Sequence, residues 1–178
     1  MGRAVLAENY TQEIEAILAK YPSDQKRSAV MPLLFLAQRE YGTLTNEAIT
    51  EVGELIGLQT TEVASLVGFY SLYHDRPGGK YRVQVCTDLP CALKGAQAFA
   101  DELCEKLDIE MGETTPDGQV TVEQVMCLAA CDRAPLFQLQ GPNGFRYHED
   151  QSIGSAMALI ESLRVRGQVD RAHRLTAS

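Results

Sequence analysis

The chain has 178 residues, 45% of them hydrophobic, which is enough for one ordinary domain or two small ones with a buried core. Its formal net charge of −8 argues against a nucleic-acid binder, because affinity for a phosphate backbone is built mainly from lysine and arginine. The apolar runs are far shorter than the ~20 residues that cross a bilayer. The first residues match neither a secretory signal nor a transit peptide. We therefore expect a soluble, cytoplasmic protein without membrane insertion.

Residues 10–41 carry the signals of two helices. Apolar side chains recur at helical spacing from Tyr10 to Tyr21, and Pro22 ends that run. A second helical stretch extends from about Gln25 to Tyr41. We expect Pro32 to start or kink this second helix, because a proline inside a helix removes a hydrogen bond and clashes with the preceding turn.

Two further helices are predicted before residue 76. Thr45 is placed to cap the third helix, which ends at Gly57. Thr60 is placed to cap the fourth, whose apolar residues continue as far as Tyr73. Short amphipathic helices with brief connections predict a four-helix bundle over residues 1–76.

The periodicity changes after the turn-rich segment HDRPGGK. Alternating large and polar residues predict a strand over Tyr81–Cys86. The later elements are predicted at Ala92–Leu107 (helix), Val120–Val125 and Leu136–Leu139 (strands, the second followed by a GPNG hairpin turn) and Ile153–Val165 (helix). This order predicts an α+β fold, in which the helical bundle is followed by a mixed-sheet domain over residues 77–165. Residues 166–178 form a basic tail that we expect to fray or to contact a partner.

Five cysteines in a chain predicted to be intracellular favour metal or redox chemistry over a disulfide framework. Four residues separate Cys86 from Cys91, three separate Cys127 from Cys131, and Cys104 stands between the pairs. Cys86 ends a predicted strand, Cys91 lies on the predicted loop before the next helix, and the second pair lies between two strands. Rigid strand ends beside loop amides suit a [2Fe–2S] cluster held by four thiolates. We interpret Cys104 as a packing residue of an amphipathic helix.

Zinc is the main alternative, because four thiolates also form a structural zinc site. The spacing favours iron–sulfur, since zinc ribbons and knuckles prefer tight two-residue spacings, but it leaves a zinc-stabilised interaction protein open. A thioredoxin-type redox dithiol needs Cys-x-x-Cys, which the chain lacks. The chain also has no Walker motif, dinucleotide fingerprint or nucleophile elbow, so we expect it to bind neither NADH nor flavin by itself.

The cysteine segments resemble those of a known family. CTDLPCALKGA and VMCLAACDRAP are similar to the [2Fe–2S] subunit of bacterial NADH:quinone oxidoreductase (respiratory complex I). The segments YPSDQKRSAVMPLLFLAQREYGTLT and VASLVGFYSLYHDRPGGKY resemble the N-terminal helical bundle of the same family. The resemblance covers about residues 10–165 and implies a helical bundle followed by a thioredoxin-like [2Fe–2S] ferredoxin domain.

The resemblance implies a role for individual residues. Cys86, Cys91, Cys127 and Cys131 would be the four cluster ligands, and Pro135 would shape the loop after the last ligand. No residue of this chain would be catalytic, because the family's [2Fe–2S] subunit carries electrons and has no substrate site of its own.

The resemblance also implies partners. Single electrons would pass between the cluster and the FMN of a larger flavoprotein subunit, which also binds NADH, within a peripheral arm on the cytoplasmic side of the inner membrane. The same module occurs in NAD-linked hydrogenases and formate dehydrogenases, so the assembly stays open.

Two positions depart from the family's pattern: Met126 stands where glutamate is common, and Ala129 stands where glycine is usual. The second departure matters if the backbone at Ala129 needs a positive φ.

Overall fold

The computed structural model describes residues 5–142 and 144–176, with residues 166–176 described by their backbone alone. The chain divides into two compact units at the bond between Pro77 and Gly78. The first unit is helical, and the second combines a four-stranded sheet with helices. The predicted α+β fold, with the helices first and a mixed sheet after them, is confirmed.

The first unit contains five helices in the part of the chain that the structure describes. They are α1 (Val5–Asn9), α2 (Thr11–Leu18), α3 (Val30–Tyr41), α4 (Asn46–Ile56) and α5 (Thr60–Phe69), with a 3-10 turn over Lys26–Ala29 before α3. The predicted helix that begins near Tyr10 is α2, and α1 precedes it without having been predicted. Pro32 lies in the first turn of α3, where its missing N–H leaves no helical hydrogen bond unmade.

The helix caps follow the sequence at α4 but not at α5. Thr45 is the N-cap of α4 and accepts a hydrogen bond from the backbone N–H of Ala48, while Gly57 ends that helix with a left-handed φ of 71°. The predicted cap at Thr60 is wrong, because the N-cap of α5 is Gln59, whose backbone N–H donates to Oε2 of Glu62 at 3.1 Å.

A buried carboxylate ties the helices of the first unit together. Oε1 of Glu51, on α4, accepts from the backbone N–H of Leu6 at 2.7 Å, and its Oε2 accepts from the hydroxyl of Tyr41 at 2.5 Å. The Leu6 side chain is fully buried in the unit's apolar core. The short helix α1 is therefore held on α4 by both a charged hydrogen bond and apolar packing.

The second unit is built around one mixed sheet. Its elements are β1 (Tyr81–Cys86), α6 (Leu89–Ala92), α7 (Ala96–Leu107), β2 (Val120–Val125), β3 (Phe137–Gly141), β4 (Gly144–His148) and α8 (Ile153–Thr176), with a 3-10 turn over Cys131–Arg133. The strand order is β2-β1-β3-β4, in which β1 and β2 are parallel and the other two pairs are antiparallel.

Two element boundaries differ from the sequence prediction. The predicted helix Ala92–Leu107 is interrupted at Gly95, whose φ of 87° is left-handed, so α6 and α7 are separate helices. The predicted closing helix continues beyond Val165 as far as Thr176, so the backbone of the expected tail is helical to that residue. The side chains of the tail, and residues 177–178, lie outside the described residues. Asn143 of the predicted GPNG turn also lies outside them, although Gly141 and Gly144 on either side pair as the hairpin requires.

The two faces of the sheet differ in polarity. On one face, valines of β1 and β2 and Phe137 pack against apolar residues of α7 and α8 in a closed core. On the other face, a ladder of polar contacts crosses three strands: Arg82 pairs with Glu123, Gln84 donates to Oε2 of Glu123 at 3.2 Å, and Gln138 donates to Oε1 of Gln84 at 2.9 Å.

Along the described residues we find no helix with both the length and the apolar character of a membrane span.

Candidate metal centre

Both cysteine pairs lie at one edge of the sheet. Cys86 is the last residue of β1 and faces Val125, the last residue of β2, in the parallel ladder. The ladder continues one step further, because the backbone N–H of Thr87 donates to the carbonyl of Val125 at 3.2 Å. Cys127 follows Val125 by two residues. The carboxyl ends of parallel strands meet at the same edge, so the segments that follow Cys86 and Val125 leave the sheet side by side.

Cys91 is held by a short helix rather than by the loop that the sequence predicted. Asp88 is the N-cap of α6, and its Oδ1 accepts from the backbone N–H of Leu89 at 2.9 Å. Pro90 occupies the first turn, where proline is tolerated. This helix turns the Cys91 side chain inward, where it is fully buried.

Cys131 begins a 3-10 turn that is fastened to the sheet and to the segment before α8. The backbone N–H of Cys86 donates to the carbonyl of Leu136 at 3.2 Å, which joins the end of this loop to the end of β1. The carbonyls of Arg133 and Pro135 each accept a backbone hydrogen bond of 2.8 Å from residues 150 and 151. The Ala134–Pro135 peptide bond is cis. The loop after Cys131 is thus anchored on two sides.

Three of the four predicted ligand thiols lie together. Cys91 packs with Cys86 and Cys131 in a small apolar cluster that also contains Ala96 and Leu136. Burial, followed by the neighbouring thiol of Cys86 and then that of Cys131, raises the pKa of Cys91 to about 12. A thiol in this environment is protonated at neutral pH and becomes a thiolate only when a metal takes the place of its proton.

Cys127 lies at the same edge but is exposed. Its φ is 28°, and Ala129 follows with a φ of 57°, so two residues with a Cβ occupy the left-handed region within one short loop. The positive φ considered for Ala129 from the sequence is therefore present. Met126, beside Cys127, is 76% exposed. Cys127 is thus the most exposed of the four cysteines at this edge, in contrast to the buried Cys86 and Cys91.

Cys86, Cys91 and Cys131 share one apolar cluster, and the exposed Cys127 lies at the same edge of the sheet. Four cysteine thiolates can hold a [2Fe–2S] cluster, and four thiolates also form structural zinc sites. Among residues 5–142 and 144–165, no three His, Cys, Asp or Glu side chains surround a common point as ligands of one metal would.

Cys104 lies apart from this edge. It is buried on α7 in the core between the helices and the sheet, with Leu103 and Phe99 in the same apolar cluster. Burial, and then the charge of Asp101, raises its pKa. This environment matches the packing role predicted for it.

One residue of the site was not singled out from the sequence. Nζ of Lys94 donates to the backbone carbonyl of Asp132 at 2.6 Å and so joins the segment of Cys91 to that of Cys131. The two residues are 38 positions apart, and no local pattern connects them. The only sequence signal is that a lysine stands three residues after one cysteine and an aspartate directly after another.

Known structures share this fold. The chain superposes on an NAD+-reducing [NiFe]-hydrogenase in its H2-reduced state with a TM-score of 0.60 and 23% identity, over 75% of this chain and 22% of the hydrogenase chain. The air-oxidised state of that protein gives a TM-score of 0.61 over the same share of this chain. This chain therefore spans only about a fifth of the hydrogenase chain, and the similarity concerns the fold.

Sequence relatives extend over most of the chain. A subunit of the NADH-quinone oxidoreductase of Rhizobium meliloti is 39% identical over 167 residues, covering 94% of this chain and 96% of the relative. NADH-quinone oxidoreductase subunit 2 of Thermus thermophilus is 42% identical over 151 residues, covering 85% of this chain and 82% of the relative. The model of the thioredoxin-like [2Fe–2S] ferredoxins matches residues 14–164, a range that includes both cysteine pairs and most of both units. The chain is a member of the thioredoxin-like [2Fe–2S] ferredoxin family.

Proposed function

We propose that this chain is an electron-transfer subunit of an NADH-quinone oxidoreductase and that it holds one [2Fe–2S] cluster on Cys86, Cys91, Cys127 and Cys131. The observation that carries the proposal is the packing of Cys91 with Cys86 and Cys131 in one apolar cluster, at the sheet edge that Cys127 shares. The relatives from Rhizobium meliloti and Thermus thermophilus, both named as subunits of that enzyme, support the assembly.

The residues of the edge suit a cluster of this kind. Cys86 and Cys91 are fully buried and would hold its inner side away from water, while the exposed Cys127 would hold its outer side. When bound, a [2Fe–2S] cluster accepts and returns single electrons at a potential set by its charge, hydrogen bonds and exposure. The protein's part is to hold the four sulfurs in place and to leave one side of the cluster accessible to an electron donor.

The surface around the edge suits a protein partner. Leu89 and Leu93, on either side of Cys91, are 70% and 81% exposed and lie four residues apart on one helical face, and the exposed Met126 is next to Cys127. Exposed apolar side chains grouped at one site favour docking. We propose that this surface contacts the flavoprotein subunit that holds FMN and NADH, within an arm peripheral to the inner membrane on its cytoplasmic side.

An NAD-linked hydrogenase is the second candidate assembly. It is favoured by the shared fold with the NAD+-reducing [NiFe]-hydrogenase, and the resemblance of the cysteine segments extends the same alternative to formate dehydrogenases. Purification of the tagged chain from its own cells distinguishes them. Quinone-oxidoreductase subunits in the complex support the first assembly, whereas hydrogenase or formate dehydrogenase subunits would replace it.

A metal and sulfide assay tests the cluster itself. We expect the full chain, purified without oxygen, to be red-brown, to contain about two iron and two acid-labile sulfide per chain, and to give an EPR signal on reduction. A colourless protein with about one zinc per chain would overturn the proposal in favour of a zinc-stabilised interaction protein.

A further inference from the structure

Lys94 connects the two segments that carry Cys91 and Cys131. Its backbone N–H donates to the carbonyl of Cys91 at 3.0 Å, and its Nζ donates to the carbonyl of Asp132, the residue after Cys131, at 2.6 Å. Lys94 thereby contacts Cys91 through its backbone and the residue after Cys131 through its side chain. Lys94 is exposed, and its ammonium group forms this hydrogen bond although solvent is available to it.

The bridge also fixes a positive charge. The nearby Arg133 is paired with Glu149 and Asp150, at 3.4 and 3.1 Å, so its charge is balanced by two carboxylates. Nζ of Lys94 donates to an uncharged carbonyl, and this hydrogen bond leaves its charge unneutralised. A cation beside a redox centre favours the form that carries the additional electron, and dissolved salt weakens this effect at an exposed position.

From this geometry we infer that Lys94 is a positioning residue for the cluster. Its ammonium group holds the Cys91 and Cys131 segments at a fixed separation, and its charge stabilises the reduced state. This inference rests on the proposed function, because it assigns Lys94 a role toward the cluster proposed there. Lys94 itself is not a ligand.

The test compares three variants of the full chain, each loaded with iron and sulfide. Lys94→Met removes both the donor and the charge, and Lys94→Arg keeps both. Lys106→Met makes the same change at a distant position and is the control. Lys106 lies in the last turn of α7, ten residues after the first residue of that helix, which corresponds to about 15 Å along the helix axis. The midpoint potential of each is measured by EPR-monitored redox titration at low and high salt.

We expect Lys94→Met to shift the equilibrium between reduced and oxidised cluster by about threefold to tenfold toward the oxidised form, where tenfold corresponds to ~59 mV for one electron. The shift should shrink at high salt. Lys94→Arg should lie close to wild type, and Lys106→Met should not move. If Lys94→Met has the wild-type potential at low salt, the inference is overturned.

Three other results have definite meanings. If Lys94→Met takes up no cluster while Lys94→Arg does, the bridge is needed to assemble the site and its positioning role stands. If neither variant takes up a cluster, the substitutions disturb the fold in general and the inference fails. If the wild-type chain itself holds no [2Fe–2S] cluster, the proposed function fails together with this inference. An unchanged potential in a loaded Lys94→Met protein overturns this inference alone.

Discussion

Cys86 and Val125 face each other at the carboxyl ends of two parallel strands. This pairing determines where both cysteine pairs lie, because Cys91 follows Cys86 through one short helix and Cys127 follows Val125 by two residues. Parallel strands need a long connection, here α7 and the segment after it, and that connection brings residues about 40 positions apart to one edge. The candidate centre is a consequence of strand order.

The first prediction separates ligands from packing cysteines. Cys91→Ser should lose the red-brown colour and the iron, because a buried hydroxyl is a poor replacement for a thiolate ligand. Cys104→Ser should keep both and lose about 1–3 kcal/mol of stability, because it puts a polar group into an apolar core. Visible absorbance and iron content of the two purified variants check this. Equal bleaching of both variants would show that the ligand assignment is wrong.

The second prediction concerns the strained loop between Cys127 and Cys131. Ala129 has a φ of 57°, which glycine adopts without steric cost. Ala129→Gly should raise the free energy of unfolding by roughly 0.5–1 kcal/mol. The substitution relieves the left-handed strain of the folded state, and the greater conformational entropy of the unfolded glycine chain offsets part of that gain. Chemical denaturation of the variant measures this.

Ala130 supplies the matched control for that experiment. Its φ of −131° lies outside the left-handed region, so Ala130→Gly relieves no left-handed strain and should only destabilise the protein. A loss of stability in both variants would mean that the backbone at Ala129 is not left-handed in solution.

The third prediction is a pH dependence from His148. Its ring stacks on Phe137 at 5.1 Å, and among the described residues its buried Nε2 has no hydrogen-bond partner. Burial, and then the charge of Arg146, lowers its pKa from the ordinary 6.5. The folded state therefore favours the neutral ring. This contribution to stability is complete above about pH 6.5 and is lost as the pH falls through the lower pKa of the folded state.

His148→Phe keeps the stacked ring and removes the titration. The free energy of unfolding of this variant should fall less steeply with acid below pH 6.5 than that of the wild type, whereas Tyr147→Phe should follow the wild-type curve. Urea denaturation at a series of pH values provides the comparison. Parallel curves for wild type and His148→Phe would contradict the assignment.

The fourth prediction concerns the exposed apolar side chains near the cysteines. Leu93→Lys should leave iron content and colour unchanged, because the Leu93 side chain is 81% exposed. It should weaken binding to the flavoprotein partner by at least about tenfold, or ~1.4 kcal/mol, because it places a charge in an apolar contact. Co-purification and titration with the partner subunit measure the effect. Phe145→Lys, an equivalent change on the exposed strand β4, is the control and should bind normally.

Local patterns in the sequence predicted most of the fold. The alternation in β1 and β2, the cap at Thr45 and the stop at Gly57 are short-range signals with direct backbone causes. Gly95 was harder to interpret, because the apolar spacing continues across it and only the backbone shows a break. The cap at Gln59 was missed because threonine is the commoner capping residue.

The candidate site was predictable in its residue types but not in its contacts. Four cysteines at strand ends are visible in the sequence, as is the family resemblance that they support. The packing of Cys91 against Cys86 and Cys131 depends on which strands are neighbours, and the Lys94–Asp132 bridge depends on a loop packed against a helix end. Such contacts arise from tertiary structure.

The second unit has two separate apolar clusters, one holding the sheet to α7 and α8 and a smaller one around the cysteines. The larger cluster contains Cys104 but none of the four proposed ligands. Oxidative damage that dismantles an iron–sulfur centre would therefore leave the framework of the sheet standing. Solvent would then reach the exposed Cys127 and the partly exposed Cys131 at the edge of a framework that is still folded.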